Sequence, residues 1–176
     1  MTNQQLIIVG FMGSGKTTVA RKVARRLNRP LIDLDELITT STGRSSAEII
    51  QQDGEPSFRE IETRLLGEAL RENPTAVLAV GGGAWTIPEN RALISKVRAQ
   101  TVWLDAPFEL CWKRIQSNEE MRPLAPTVEA AAQLYENRRP VYELADLRIT
   151  IVDSDSIDEI AASIVSLVRQ SQNGEP

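Results

Sequence analysis

Residues 6–17, "LIIVGFMGSGKT", decide the fold. Four apolar residues, Leu6 to Val9, run into a stretch that fits G-x-x-x-x-G-K-[ST] from Gly10 to Thr17. A helical pattern follows, with Val19, Val23, Ala24 and Leu27 at helical spacing. Strand, glycine-rich loop and helix in this order form the context in which the motif wraps phosphate groups. The glycines allow a tight backbone turn whose N–H groups aim at phosphate oxygens, and the dipole of the following helix adds positive potential. Lys16 would neutralise charge on the β- and γ-phosphates, and the Thr17 hydroxyl would ligate Mg²⁺. Gly13, Ser14, Gly15, Lys16, Thr17 and Thr18 are the expected nucleotide-binding set. ATP or GTP is the expected co-substrate and Mg²⁺ the expected cofactor.

Working outward, short apolar runs recur at 30–33, 76–80, 101–104 and 147–152. They are rich in Val, Ile and Leu without strong alternation, as strands buried on both faces are. Amphipathic stretches at 57–70, 88–98, 107–116 and 156–169 alternate with them. This order predicts right-handed βαβ units in an α/β fold, three-layer αβα, with a five-stranded parallel sheet. The length of 176 residues suits a single domain, 1–176, with a polar tail at 170–176.

Composition narrows the chemistry. The sequence contains no histidine and one cysteine, Cys111. Histidine-based catalysis, His-ligated zinc and an intrachain disulfide are excluded, so a general base must be Asp, Glu, Lys, Tyr or that cysteine. A net charge of −4 argues against broad nucleic-acid binding. No apolar stretch reaches the roughly 18 residues of a membrane span. The start, "MTNQQLIIVG", lacks a basic region ahead of its apolar run. A cytoplasmic protein is the expectation, a monomer acting on small molecules, without nucleic acid or membrane partners.

Two segments compete to supply the metal-steadying carboxylate. Asp105 ends "TVWLD" but precedes Ala-Pro and a helix, which favours a cap or turn role. Asp33 in "LIDLDEL" (31–37) ends the strand after the loop's helix, at the carboxyl edge of the sheet where ligands bind. Asp35 lies two residues on. If the strand continued, both carboxylates would share a face, Asp33 towards the metal and Asp35 towards an incoming hydroxyl. The competing reading is Asp35 as the N-cap of "ELITTST".

Elsewhere, "GEPSFREIE" (54–62) places Arg59 on a helix, with Glu60 or Glu62 to hold its guanidinium. "AVLAVGGGAW" (76–85) sets Gly81, Gly82 and Gly83 directly after a strand, where a ligand can approach the backbone. "NRRPVYELAD" (137–146) offers Arg138 and Arg139, either able to pair with a ligand carboxylate. "NEEMRPLAPT" (118–127) reads as part of a mobile lid, about 117–127, from which Arg122 would stabilise transferring charge. Trp85 is placed to wall a pocket, and Trp103 and Trp112 to pack. Two cations and a bare glycine edge beside a phosphate loop point to a small polyhydroxy acid.

"GFMGSGKTT", "LIDLDELI", "GEPSFREIE", "VGGG", "MRPL" and "RRPVYELAD", in that order, resemble the shikimate kinase family of P-loop kinases, across about residues 5 to 168. The resemblance implies ATP-dependent phosphorylation of the 3-hydroxyl of shikimate. It makes Asp35, Lys16 and Arg122 the catalytic candidates. Asp35, Arg59, Gly81, Gly82, Gly83 and Arg138 would bind shikimate, Thr17 and Asp33 the metal, and Arg114 and Arg122 the nucleotide. Arg138 is preferred to Arg139 because the family reads R-x-P-x-Y, here Arg138, Pro140 and Tyr142. Thr17 stands where the family often has serine, and Ala125 where a second leucine is usual. The competing functions are a sugar-acid kinase such as a gluconate kinase, and a nucleotide-binding regulator without catalysis.

Overall fold

The computed structural model describes residues 4–117 and 124–173. Five parallel strands, β1 (Leu6–Val9), β2 (Leu31–Asp33), β3 (Val77–Ala79), β4 (Gln100–Asp105) and β5 (Leu147–Thr150), form one sheet in the order β2-β3-β1-β4-β5. The centre belongs to β1, where Ile8 faces Ala79 on one side and Val102 on the other. All four β1 residues are fully buried, which explains an apolar run without alternation. The helices are α1 (Lys16–Leu27), α2 (Leu34–Thr42), α3 (Ser46–Glu72), α4 (Pro88–Lys96), α5 (Phe108–Gln116), α6 (Val128–Tyr142) and α7 (Ile157–Asn173), with a short 3-10 turn at Ala84–Thr86. The sheet flanked by helices is the expected α/β P-loop architecture. Every strand that reaches the site ends at the same edge, so loops from β1, β2 and β3 open into one crevice.

Three local features depart from the sequence expectations. The first concerns the paired carboxylates. β2 stops at Asp33, and Asp35 lies in the first turn of α2 rather than on a continuing strand. Asp33 is the N-cap, in extended conformation, and its Oδ1 accepts from the N–H groups of Asp35 at 3.0 Å and Glu36 at 3.4 Å. The same-face strand argument therefore fails, and so does Asp35 as the cap. A carboxylate satisfying two orphan helix donors is worth about 0.5–2 kcal/mol, enough to end a three-residue strand here.

The second is α3, which runs Ser46–Glu72 as two helical segments meeting at a non-helical Gly54: the expected helix over 57–70 falls in the second segment, and the first, from Ser46, was not expected. Ser45 and Glu48 form a reciprocal capping box at its start. The helix kinks where Gly54 takes φ +86°, just ahead of Pro56. The third is α6, which carries Arg138 and Arg139 on a regular helix capped by Thr127, whose hydroxyl accepts from Ala130 N–H. The central part of the expected lid, including Arg122, lies outside the described residues. No described helix is long and apolar enough to cross a membrane.

Candidate active site

A cleft of about 1020 Å³ runs along the carboxyl edge of the sheet, and the phosphate loop forms one end of it. Gly13 shows why the loop needs glycine. It has φ +77°, and a β-carbon there would lie 2.5 Å from the Cys111 carbonyl oxygen on α5. Gly13→Ala is expected to strain the backbone and drive the loop off α5. A fall in Tm and a large rise in KM for ATP should follow, read by calorimetry and initial rates. Gly15, with φ +92°, precedes α1, and no side chain caps that helix. Its first N–H groups are left to meet an anion. Lys16 Nζ donates to the Phe11 carbonyl at 2.9 Å, which folds the ammonium across the loop. Thr18 is exposed at the cleft. Ser14 is placed differently: its side chain is buried beneath the loop, and its N–H closes a turn onto the Phe11 carbonyl at 3.2 Å. Arg114 of α5 lines the cleft and reaches the Gly13 carbonyl at 3.3 Å.

Beside the loop, the Thr17 hydroxyl donates to Asp33 Oδ2 at 2.6 Å. One carboxylate serves two tasks here, with Oδ1 capping α2 and Oδ2 turned to the phosphate loop. Among the described residues no group of three or more carboxylate, thiol or imidazole ligands comes together. A hydroxyl and a single carboxylate nevertheless suit Mg²⁺, a hard ion that takes one or two protein oxygens and completes its shell with phosphate and water.

At the other end of the cleft, three successive glycines each face a charged side chain. A β-carbon on Gly81 would lie 3.2 Å from Glu62 Oε1 and 3.7 Å from Asp35 Oδ1. One on Gly82 would lie 3.4 Å from Arg138 Nη1, and one on Gly83 would overlap the Arg59 guanidinium. The bare backbone thus lets two carboxylates and two guanidiniums converge. Arg59 donates to Glu62 at 2.6 Å and to Glu55 at 3.0 Å, and its guanidinium lies 4.9 Å from the centre of the Phe58 ring. Of the two partners considered from sequence, Glu62 is the one found. Glu55 was missed, although its i, i+4 spacing to Arg59 was a legible signal. Asp35, on the exposed first turn of α2, accepts from the Ser46 hydroxyl at 3.1 Å. That contact ties α2 to the start of α3.

Burial pushes the Glu62 carboxyl above the usual carboxylate range, against the pull of Arg59. Arg138 is only 8% exposed, and burial lowers its pKa, with the like charge of Arg59 acting in the same direction. Arg59 already holds Glu55 and Glu62, so a buried Arg138 beside it is the guanidinium that gains most from an incoming anion. Arg139 points elsewhere. It makes two hydrogen bonds to Asp105, at 2.9 and 3.4 Å, and one to the Tyr135 hydroxyl at 3.0 Å. Asp105 is also gripped by Arg148, so it is a buried ion-pair hub rather than a cap or turn residue. Trp85 does not wall the cleft. It is 4% exposed, and its indole N–H donates to the Val141 carbonyl at 2.9 Å. Cys111 is fully buried with its thiol pushed up to about 11, mainly by desolvation, and is removed as a base.

Comparison with known proteins converges on one family. The shikimate kinase family profile matches residues 12–169. A shikimate kinase from Cereibacter sphaeroides is 42% identical over 147 residues, covering 82% of this chain and 72% of that one. One from Synechococcus elongatus is 38% identical, covering 97% and 92%. The solved structure of shikimate kinase from Acinetobacter baumannii, in complex with shikimate, superposes with a TM-score of 0.89 at 34% identity, covering 97% and 96%. With a matching profile over most of its length and relatives this similar from end to end, the chain belongs to the shikimate kinase family.

Proposed function

We propose that this protein transfers the γ-phosphoryl group of ATP to the 3-hydroxyl of shikimate, giving shikimate 3-phosphate on the route to aromatic amino acids. The observation that carries the reading is the convergence of Arg59, Arg138 and Asp35 on a glycine edge, in the same cleft as the phosphate loop. A carboxylate between the two guanidiniums would relieve their repulsion and fix one end of the ring. The hydroxyls at the other end would then face Asp35, on the side of the loop.

The loop backbone, Lys16 and Thr18 hold the triphosphate, and Arg114 lies beside the base. Arg122, expected from the sequence to cover the phosphates, lies outside the described residues. Thr17 and Asp33 would hold Mg²⁺, which when bound supplies charge neutralisation at the phosphate oxygens. Asp35 orients the attacking hydroxyl and accepts its proton as the P–O bond forms. Gly81, Gly82 and Gly83 leave room for the ring. Phosphoryl transfer demands positioning and charge stabilisation more than covalent participation, and these residues supply both.

The test is a coupled ADP-release assay with Mg-ATP and shikimate, gluconate or no acceptor. Release that depends on shikimate, with little from gluconate, is the expected result. Release with gluconate instead would turn the site into that of a sugar-acid kinase. ATP binding without turnover on either acceptor would favour a regulator.

A further inference from the structure

Tyr142 touches no expected ligand, yet it sits where two parts of the acceptor site meet. It lies four residues after Arg138 on α6, so the two side chains share a helix face. Its ring is 2% exposed and stacks on Trp103 of β4, with centroids 6.1 Å apart and planes at 24°. Its hydroxyl donates to the Gly82 carbonyl at 2.5 Å. Arg138 sits one turn earlier on the same face of α6, and its guanidinium interacts with the Tyr142 hydroxyl, which favours the charged arginine. Arg138 Nη1 in turn lies 3.4 Å from where a Gly82 β-carbon would stand. One phenolic oxygen therefore joins the glycine edge after β3 to the buried cation on α6.

The ring and the hydroxyl do different work. Stacking on Trp103 is packing, and a phenylalanine would preserve it. The hydroxyl is polar, buried and directional. Lone pairs left over after it donates to Gly82 are available to the guanidinium. Without that oxygen the Gly82 carbonyl loses a donor, and the Arg138 guanidinium can turn away from the cleft.

We propose that Tyr142 is a positioning residue for the acceptor's carboxylate: through its hydroxyl it fixes the direction of the Arg138 guanidinium and the Gly82 peptide before substrate arrives. The inference rests on the proposed reading of the cleft as the shikimate site. Pre-setting a buried cation spares the ligand the cost of ordering it, so the effect belongs in affinity for the carboxylate-bearing acceptor. Neither ATP affinity nor the chemical step depends on it.

Tyr142→Phe is the test, read by initial rates and by the Arg138 Nε–H signal in the protein without ligand. Tyr142→Phe should raise KM for shikimate roughly 10-fold, the range of one hydrogen bond to a charged group. KM for ATP and kcat should stay within about twofold. The Arg138 signal should shift and broaden in Y142F. An unchanged KM for shikimate, or an unmoved Arg138 signal, overturns the proposal. So does a parallel loss of kcat, both KM values and Tm, which would make the hydroxyl merely structural. If the wild-type protein does not turn over shikimate, the substrate reading fails by itself, and the Arg138 signal still decides whether Tyr142 holds that guanidinium.

Discussion

Asp35→Asn lowers kcat with shikimate by about 10²–10⁴-fold, the usual contribution of a positioned acid–base group. It leaves KM for ATP and the melting temperature near wild type. Asparagine has the same shape and can still accept from the Ser46 hydroxyl, the contact that links α2 to α3. Asp35 is exposed, so its change costs little stability, within about 0.5 kcal/mol. Proton acceptance is what disappears. Rates across pH separate the two roles proposed for this carboxylate. If Asp35 is the base, the acidic limb of the wild-type profile is missing in the variant. If it only positions the hydroxyl, the limb remains and the whole curve drops. Wild-type turnover by Asp35→Asn would refute both.

The second large effect falls on Arg59. Arg59→Met keeps much of the stem but removes the charge. KM for shikimate should rise about 10–100-fold, from the loss of a charge-assisted pair to its carboxylate. Stability also falls, because Glu62 is 1% exposed and loses its 2.6 Å partner. Breaking such a pair from one side leaves an uncompensated carboxylate, at a cost of about 1–3 kcal/mol when the carboxyl can protonate and Arg138 remains near. The pH dependence has a definite sign. Burial already raises the folded Glu62 pKa above its ordinary value of 4.5, and losing Arg59 raises it further. The folded state then holds a proton that the unfolded state has released, so stability is fully present below about 4.5 and declines as pH rises through the folded value. Thermal melts should show Arg59→Met closer to wild type at mildly acidic pH than at alkaline pH. An equal gap at every pH contradicts the burial account of Glu62.

The core of the fold was legible because it is encoded in local patterns. The run before Gly10 is uninterrupted because β1 has a strand on each side, and the phosphate loop carries its own geometry. Boundaries set by a single cap were less legible. "LIDLDEL" reads as a continuing strand unless Asp33 is recognised as the residue that turns the chain into α2. Gly54 and Pro56 mark the break before the segment of α3 that was expected, whereas the segment ahead of them, capped by Ser45 and Glu48, went unread. The helix α6 is hidden by Pro140 and the paired arginines, although Thr127 and the alanines after it mark its start.

The same mixture holds for the site. Arg138 and Arg139 are identical in type and adjacent in sequence. Only their placement about 100° apart around a helix sends one to the cleft and the other to Asp105. Motif position chose between them, and composition could not. Ser14 shows the converse: a loop residue with the right chemistry, turned inward by the very turn that shapes the loop. The hub role of Asp105 depends on partners elsewhere in space, from α6 and β5, whereas Glu55 lies one helical turn from Arg59 and could have been read from its spacing.

The central claim is that Arg59 and Arg138 read a carboxylate while Asp35 takes a hydroxyl proton in the same cleft. Its most direct test is the rate of ADP release from Mg-ATP with shikimate, set beside the rate with shikimate methyl ester. Esterification removes the charge and keeps the ring and every hydroxyl. The account predicts rapid release with shikimate and a kcat/KM at least about 100-fold lower with the ester, the loss expected when two charge-assisted contacts go unmade. Equal rates with both acceptors, or none with either, would contradict it.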